Sequence, residues 1–291
     1  MPITIAPDVQ AALRSGRPVV ALESAVISHG LPRGAALEAV QRQSDACREA
    51  GATPAVVAVY QGRLLVGLSL AQCATLADRN DVVKVSPWNL ASSLKTPGFG
   101  GTTVAATLAA AALAGIRVLS TGGIGGVHPG PGNDVSADLT ELSRKPVCVV
   151  CAGPKSTLDR EATLEYLETQ GVPVVGWRSD QLAGFLAEST GIRLSARADS
   201  VEDMVALLRE HWALAGAGVV LCQALPPEKA IPLADLAAVA EGGDERGGAR
   251  TPAELKRLQA RLGSRVIDAN VALLEQNAAL AAQIAVALAW R

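Results

Sequence analysis

The chain has 291 residues, of which 49% are hydrophobic and 19% charged, enough to bury a sizeable core. A net charge of −2 and a pI near 6.0 give no electrostatic grip on nucleic acid or an anionic membrane, so any bound phosphate must be held by a local site. Aromatic residues are 3% of the chain, too few for the base-stacking surfaces of single-strand binders.

Met1 to Pro7 has no basic stretch ahead of an apolar one and does not read as a signal peptide. Pro18 to Leu22 is a short apolar run, expected as a buried strand, and Ala35 to Ala50 has helical composition ending at Gly51. Ala55 to Tyr60 and Arg63 to Val66 read as a hairpin around Gln61-Gly62, Leu70 to Asp78 as a short helix and Asp81 to Val85 as a short strand. The glycine-rich stretch Pro97 to Thr103 opens a small-residue helix, Val104 to Ala114. Ile116 to Leu119 follows as a strand, and Thr121 to His128 as a second glycine-rich loop. Val147 to Cys151 is a strand, Ser156 to Thr169 a helix and Val172 to Gly176 a strand. Ser200 to Leu214, Val219 to Cys222, Leu233 to Val239 and Pro252 to Leu262 continue the alternation, and Ala269 to Trp290 closes the chain as a long helix. Glu241 to Gly248 is expected as an exposed loop, either a lid or a plain connector. The longest apolar stretches, Val104 to Ile116 and Ala278 to Trp290, fall short of the roughly 20 residues that cross a bilayer. The expectation is a cytoplasmic protein of one α/β layered domain, residues 1–291, on a largely parallel sheet.

Five cysteines, at 47, 73, 148, 151 and 222, do not form a disulfide framework in a domain of this size. Cys148 and Cys151 have the spacing of a redox or metal pair, but they lie in one apolar strand, where positions three apart face opposite ways. They are expected as buried core residues.

Polar residues that interrupt or end apolar strands are the informative ones, because ligands of α/β sheets collect outside the carboxyl ends of strands. Glu23 ends Val19 to Glu23, Lys84 sits within Val82 to Val85, and Lys155 follows Val147 to Cys151 across the turn Ala152-Gly-Pro154. His128 and Asp134 lie in the loop after the strand ending at Leu119. Each also has a purely structural reading: a helix cap for Glu23, an edge gatekeeper for Lys84, a solvated helix start for Lys155. Asp134 and Asp138 read as helix-start carboxylates. Gly98 to Thr103 could cradle a phosphate on the free N–H groups of a helix N-terminus, although it lacks the Gly-Lys-Ser/Thr ending of a P-loop and the dinucleotide fingerprint. The glycines of Gly122 to Gly126 could serve only tight packing. With three histidines in the chain, no Cys/His zinc spacing exists.

Four segments taken jointly carry more. They are Val20-Ala-Leu-Glu-Ser24 with Ser28-His-Gly-Leu-Pro32; Gly100-Gly-Thr-Thr-Val-Ala105; Ser120-Thr-Gly-Gly-Ile-Gly-Gly-Val-His128; and Asp134-Val-Ser-Ala-Asp-Leu139 followed by Cys151-Ala-Gly-Pro-Lys-Ser156. In this order and spacing the chain resembles the pseudouridine-5'-phosphate glycosidases, the indigoidine synthase A-like family. Thr163 to Thr169 and Asn270 to Asn277 extend the likeness over nearly the whole length. The resemblance implies a three-layer α/β/α fold and a homotrimer. It makes Lys155 the nucleophile that forms an imine with C1' of the opened ribose, and Glu23 the proton donor to the departing ring carbon. It places a divalent ion, manganese, on Asp134. Lys84, Thr102, Thr103, Val104, Ser136, Ala137 and Asp138 would bind sugar and phosphate, with His128 and Asn277 at the site and Asn277 near the base.

This chemistry answers a physical problem. A C-glycosidic bond has no heteroatom to protonate at the leaving group, so an amine nucleophile is needed as an electron sink. Glu23 must then be protonated in the cleavage direction, which requires burial or a like charge nearby.

The loops depart from the family. After His128 the segment Pro129 to Asp134 is shorter and lacks the family's arginine and aromatic residue; Ser86-Pro-Trp-Asn89 replaces a basic pattern; Gln223-Ala-Leu-Pro226 replaces Asn-Pro-Ile-Pro. The implied function is an enzyme that breaks or makes a carbon–carbon bond between ribose 5-phosphate and a ring. The expected partner is a non-uracil aromatic acceptor, as in C-glycosynthases of natural-product biosynthesis. The alternatives are ordinary hydrolysis of pseudouridine 5'-phosphate to uracil and ribose 5-phosphate, a non-catalytic ribose-phosphate sensor, and a dinucleotide enzyme, against which the missing fingerprint counts.

Overall fold

A computed structural model describes residues 3–130, 134–214, 216–240 and 250–289. In chain order its elements are β1 (Ile3–Ile5), α1 (Pro7–Arg14), β2 (Val19–Leu22), a π-helical turn (Val26–Gly30), α2 (Arg33–Glu49), β3 (Thr53–Tyr60), β4 (Arg63–Val66), α3 (Leu70–Asp78), β5 (Val83–Val85) and α4 (Pro87–Ser93). Then come β6 (Phe99–Thr102), α5 (Val104–Ala114), β7 (Val118–Ser120), α6 (Ala137–Arg144), β8 (Cys148–Cys151), α7 (Arg160–Thr169), β9 (Val174–Trp177), β10 (Gln181–Gly184) and β11 (Ala187–Arg193). The chain closes with β12 (Ala196–Ala198), α8 (Val201–Leu214), β13 (Val219–Cys222), α9 (Leu233–Ala240), α10 (Arg250–Leu262) and α11 (Ser264–Ala289).

The main sheet runs β1-β4-β3-β2-β7-β8-β13-β9-β12, with β6 added to β3 and β5 to β6. Only β3–β4 and β3–β6 pair antiparallel; every other neighbour is parallel. Helices cover both faces, giving the three-layer α/β/α arrangement. Strand alternation decides the layers: Ala55, Val57 and Val59 of β3 face a core shared with α1, α5 and α6, while Val56 and Ala58 face one shared with α2, α8 and α11. Cys151 and Cys148 divide between those cores in the same way. All five cysteines are free and buried, and burial pushes the thiols of Cys47 and Cys73 up to about 12.

Helix α5 is buried on nearly every side, as an all-apolar helix must be. Thr103 caps it by accepting the Ala106 N–H, and Gly115 ends it at φ 78°. The hairpin β3–β4 turns through Gln61 and Gly62 at φ 51° and 73°, the primed geometry that matches strand twist.

Several expectations are corrected. The stretch expected as a glycine-rich loop, Gly98 to Thr103, is largely strand β6. Its glycines allow close approach: a Cβ on Gly100 would lie 2.3 Å from Val85 Cγ2, and one on Gly101 2.1 Å from Ser28 Oγ. The helix expected from Ser156 starts at Arg160, capped by Asp159, so Lys155 stands in a loop and not in a helix start. Helix α11 has 26 residues, and by length and composition it could cross a membrane. In the fold it packs as a core helix, its residues from Val266 to Ala285 supplying much of the buried surface. Elements β1, α1, α4, the π-helical turn and the β10–β11 hairpin were not foreseen. The expected loop Glu241 to Gly248 lies outside the described residues.

Candidate active site

Strand ends converge on a cavity of about 600 Å³. Its wall contains Glu23, Lys84, Thr103, Val104, His128, Asp134, Ser136, Ala137, Asp138 and Lys155, so most of the residues singled out from sequence share one site.

Glu23 follows β2 directly. Its Oε2 accepts the Val26 N–H at 3.0 Å from the first residue of the π-helical turn, the kind of local widening that recurs at functional sites. Burial raises the Glu23 carboxyl above the ordinary range, and the nearby Lys155 cation only partly offsets this. Lys84 projects from β5, and its ammonium is held down to about 8 by burial and then by the Lys155 cation. Lys155 is placed by its backbone: its N–H reaches Ile124 O at 3.1 Å, and Pro154 forms a β-bridge with Ile124. The turn after β8 is thus stitched to the glycine-rich loop after β7.

Asp138 works as a brace. Its Oδ1 accepts the Ala105 N–H and its Oδ2 the Gly125 N–H, both at 2.8 Å, which ties the start of α5 to the glycine-rich loop. Ser136 caps α6 through the Asp138 N–H at 3.2 Å. With the Ala105 and Ala106 N–H groups taken by Asp138 and Thr103, the Val104 N–H is the donor in the first turn of α5 with no partner among the described residues. The glycines of the loop are packing requirements. A Cβ on Gly123 would lie 2.7 Å from Phe185 Cδ2, and one on Gly126 2.3 Å from Thr163 Oγ1.

Two expected residues do not line the cavity. Thr102 is fully buried behind the wall, donating to Val57 O at 2.6 Å, because it occupies the strand position before the capping Thr103. Asn277 is also fully buried, donating from Nδ2 to Thr121 O at 2.9 Å; on α11 it is Asn270 and Leu274 that reach the wall.

The wall also holds residues that sequence reasoning gave no role. His29 belongs to the motif Ser28 to Pro32; burial and the Lys84 cation lower its imidazole. Phe185, at φ 61°, sits at the tip of the β10–β11 hairpin with its N–H on Ala152 O at 2.8 Å. A bulky residue in the left-handed region is strained, and such strain concentrates at functional sites.

Among the described residues no three His, Cys, Asp or Glu side chains converge as a cage. Asp134 in the wall supplies a single carboxylate, which suits a hard ion completed by waters and a substrate phosphate.

The profile of the family described as indigoidine synthase A like protein matches residues 8–287. A pseudouridine-5'-phosphate glycosidase of Methylobacterium nodulans is 44% identical over 98% of this chain and 88% of its own, and one of Herpetosiphon aurantiacus is 45% identical over 98% of both. Among solved structures, an indigoidine synthase A-like protein of Thermotoga maritima superposes with a TM-score of 0.92 at 34% identity, covering 99% of this chain and 96% of that one. The prealnumycin C-glycosynthase AlnA, in complex with ribulose 5-phosphate, superposes with a TM-score of 0.90 at 34% identity, covering 99% and 97%. With its strand-end lysine and carboxylate in one cavity and these likenesses along its whole length, the chain belongs to the indigoidine synthase A-like family and is an enzyme of C-glycosidic bonds.

Proposed function

We propose that the protein breaks or makes the bond between C1' of ribose 5-phosphate and a ring carbon, using Lys155 as nucleophile and Glu23 as proton donor. The observation that carries this is the charge arrangement in one cavity: a carboxyl driven towards its protonated form beside two amines.

In cleavage, the C1'–O4' bond breaks, O4' leaves as the sugar hydroxyl with a proton, and the Lys155 amine bonds to C1' in its place. The electron pair of the C1'–ring bond passes to the ring carbon, which takes the proton from Glu23, leaving a C1'=N imine. Water then hydrolyses the imine, releasing the aldehyde of ribose 5-phosphate and the free amine. Lys84, the Val104 N–H and the α6 start at Ser136, Ala137 and Asp138 hold sugar and phosphate, with Thr103 and His128 beside them. A divalent ion, manganese in this reading, bound by Asp134 and waters would neutralise phosphate charge. Thr102 and Asn277 act from behind the wall. A cytoplasmic homotrimer belongs to the same proposal.

The names of the relatives support pseudouridine 5'-phosphate as substrate, with uracil and ribose 5-phosphate as products. A second reading, C-ribosylation of a non-uracil aromatic acceptor, is favoured by Trp88, which lines the cavity while 84% exposed.

The test is purified protein with pseudouridine 5'-phosphate and manganese, followed by mass spectrometry and by borohydride trapping with ribose 5-phosphate. A reduced sugar adduct on Lys155, absent from Lys155→Ala, is the expected result. Wild-type protein that yields neither adduct nor uracil sinks the proposal.

A further inference from the structure

The chain has few aromatic residues, namely four Trp, two Tyr and two Phe, yet Trp88 and Phe185 both line the candidate active site. Their settings differ. Phe185 is 4% exposed and packed against the glycine-rich loop, so it is wall. Trp88 is 84% exposed, and a residue that lines a cavity while this open stands at its mouth. Val83, also half-exposed, adds apolar surface to the same wall.

Trp88 is not on a loose loop. Helix α4 starts at a fixed cap, where the Ser86 N–H donates to Asn89 Oδ1 at 2.8 Å, and Asn89 Nδ2 donates to Lys84 O at 3.1 Å, bracing the helix to the strand that carries Lys84. Trp177 and Trp212 each carry an arginine guanidinium on the ring face, while Trp88 has no such partner among the described residues. An indole held on a fixed backbone with an open face is a stacking platform.

We propose that Trp88 is the ring-selecting residue of this enzyme: it stacks on the ring that is joined to C1', and so extends acceptance from single pyrimidines to flat fused aromatic rings. This rests on the lysine chemistry proposed above. In the synthetic direction the aldehyde oxygen of ribose 5-phosphate leaves as water when the imine forms. The acceptor ring carbon bonds to C1', its proton passes to the Glu23 carboxylate, and the sugar hydroxyl recloses on C1' as the Lys155 amine departs. No oxidant or reductant is needed.

The experiment compares wild type, Trp88→Ala and Trp88→Phe in two reactions: ribose 5-phosphate with 1,3-dihydroxynaphthalene, and uracil release from pseudouridine 5'-phosphate. Wild type is expected to form the naphthyl C-riboside phosphate. Trp88→Ala should lower kcat/KM for that acceptor on the order of tenfold more than for uracil release, through KM, as loss of one stacking face implies, and Trp88→Phe should recover most of it. No naphthyl product from wild type, or equal losses in the two reactions, overturns the assignment; a change in self-association alone would mark Trp88 as a protein contact and overturn it too. The borohydride adduct on Lys155 separates the two layers. Its absence from wild type sinks the lysine chemistry, whereas its presence with an unchanged selectivity ratio sinks only the role of Trp88.

Discussion

Replacing Lys84 with methionine should stabilise the ligand-free protein while destroying its grip on sugar phosphate. Burial and the neighbouring Lys155 hold the Lys84 ammonium down from 10.5 to about 8. At about 1.4 kcal/mol per factor of ten, this corresponds to roughly 3 kcal/mol against folding with the cation in place. Water at the open cavity screens part of this, leaving about 2 kcal/mol. The sign follows from linkage. Below pH 8 both folded and unfolded chains carry the charge and the penalty is full; between pH 8 and 10.5 the folded chain loses its proton first and the penalty fades. Methionine keeps the unbranched stem without the charge, so urea unfolding of Lys84→Met at pH 7 should show the gain, and the gap to wild type should narrow by pH 9.5. A variant less stable than wild type at pH 7, or a gap that does not change with pH, would refute the idea that the cavity disfavours this cation.

Glu23→Gln should abolish ring release and also stabilise the fold at pH 7. A raised carboxyl favours folding least where the unfolded chain is ionised, so the gain should vanish as pH falls below the ordinary value of 4.5; paired denaturation curves at pH 7 and 4 check it. Asp138→Ala leaves the Ala105 and Gly125 N–H groups without their acceptor, and should cost about 1–3 kcal/mol for each group left buried, read as a lower urea midpoint. Gly126→Ala forces a methyl against Thr163 Oγ1, with an expected loss of about 1–3 kcal/mol by the same assay.

The candidate residues stood out because they break a pattern. Glu23 directly follows an apolar strand, Lys84 lies within one and Lys155 lies across the turn after one, and a parallel sheet gathers such ends on one edge. The glycines were legible as glycines but not by purpose. Gly100 and Gly101 serve strand contact instead of a phosphate loop, which depends on what lies across from them. Phe185 carried no local signal, since its place in the wall comes from a hairpin folding back onto the turn after β8.

Local pattern set most of the alternation of strands and helices and the opposite facing of Cys148 and Cys151, and the likeness of four motifs to a family singled out Lys155 and Glu23. The alternation and the strand faces follow from periodicity, which is local, whereas Lys155 and Glu23 stand out through the resemblance to the family. Long-range packing selects which of several equivalent residues reaches the cavity. Asn270 and Asn277 lie two turns apart on the same stripe of α11, and Thr102 and Thr103 are neighbours, yet one of each pair lines the wall while the other is sealed behind it. Depth along a helix and the switch from strand to helix at Thr103 set those outcomes, and both depend on how distant segments pack.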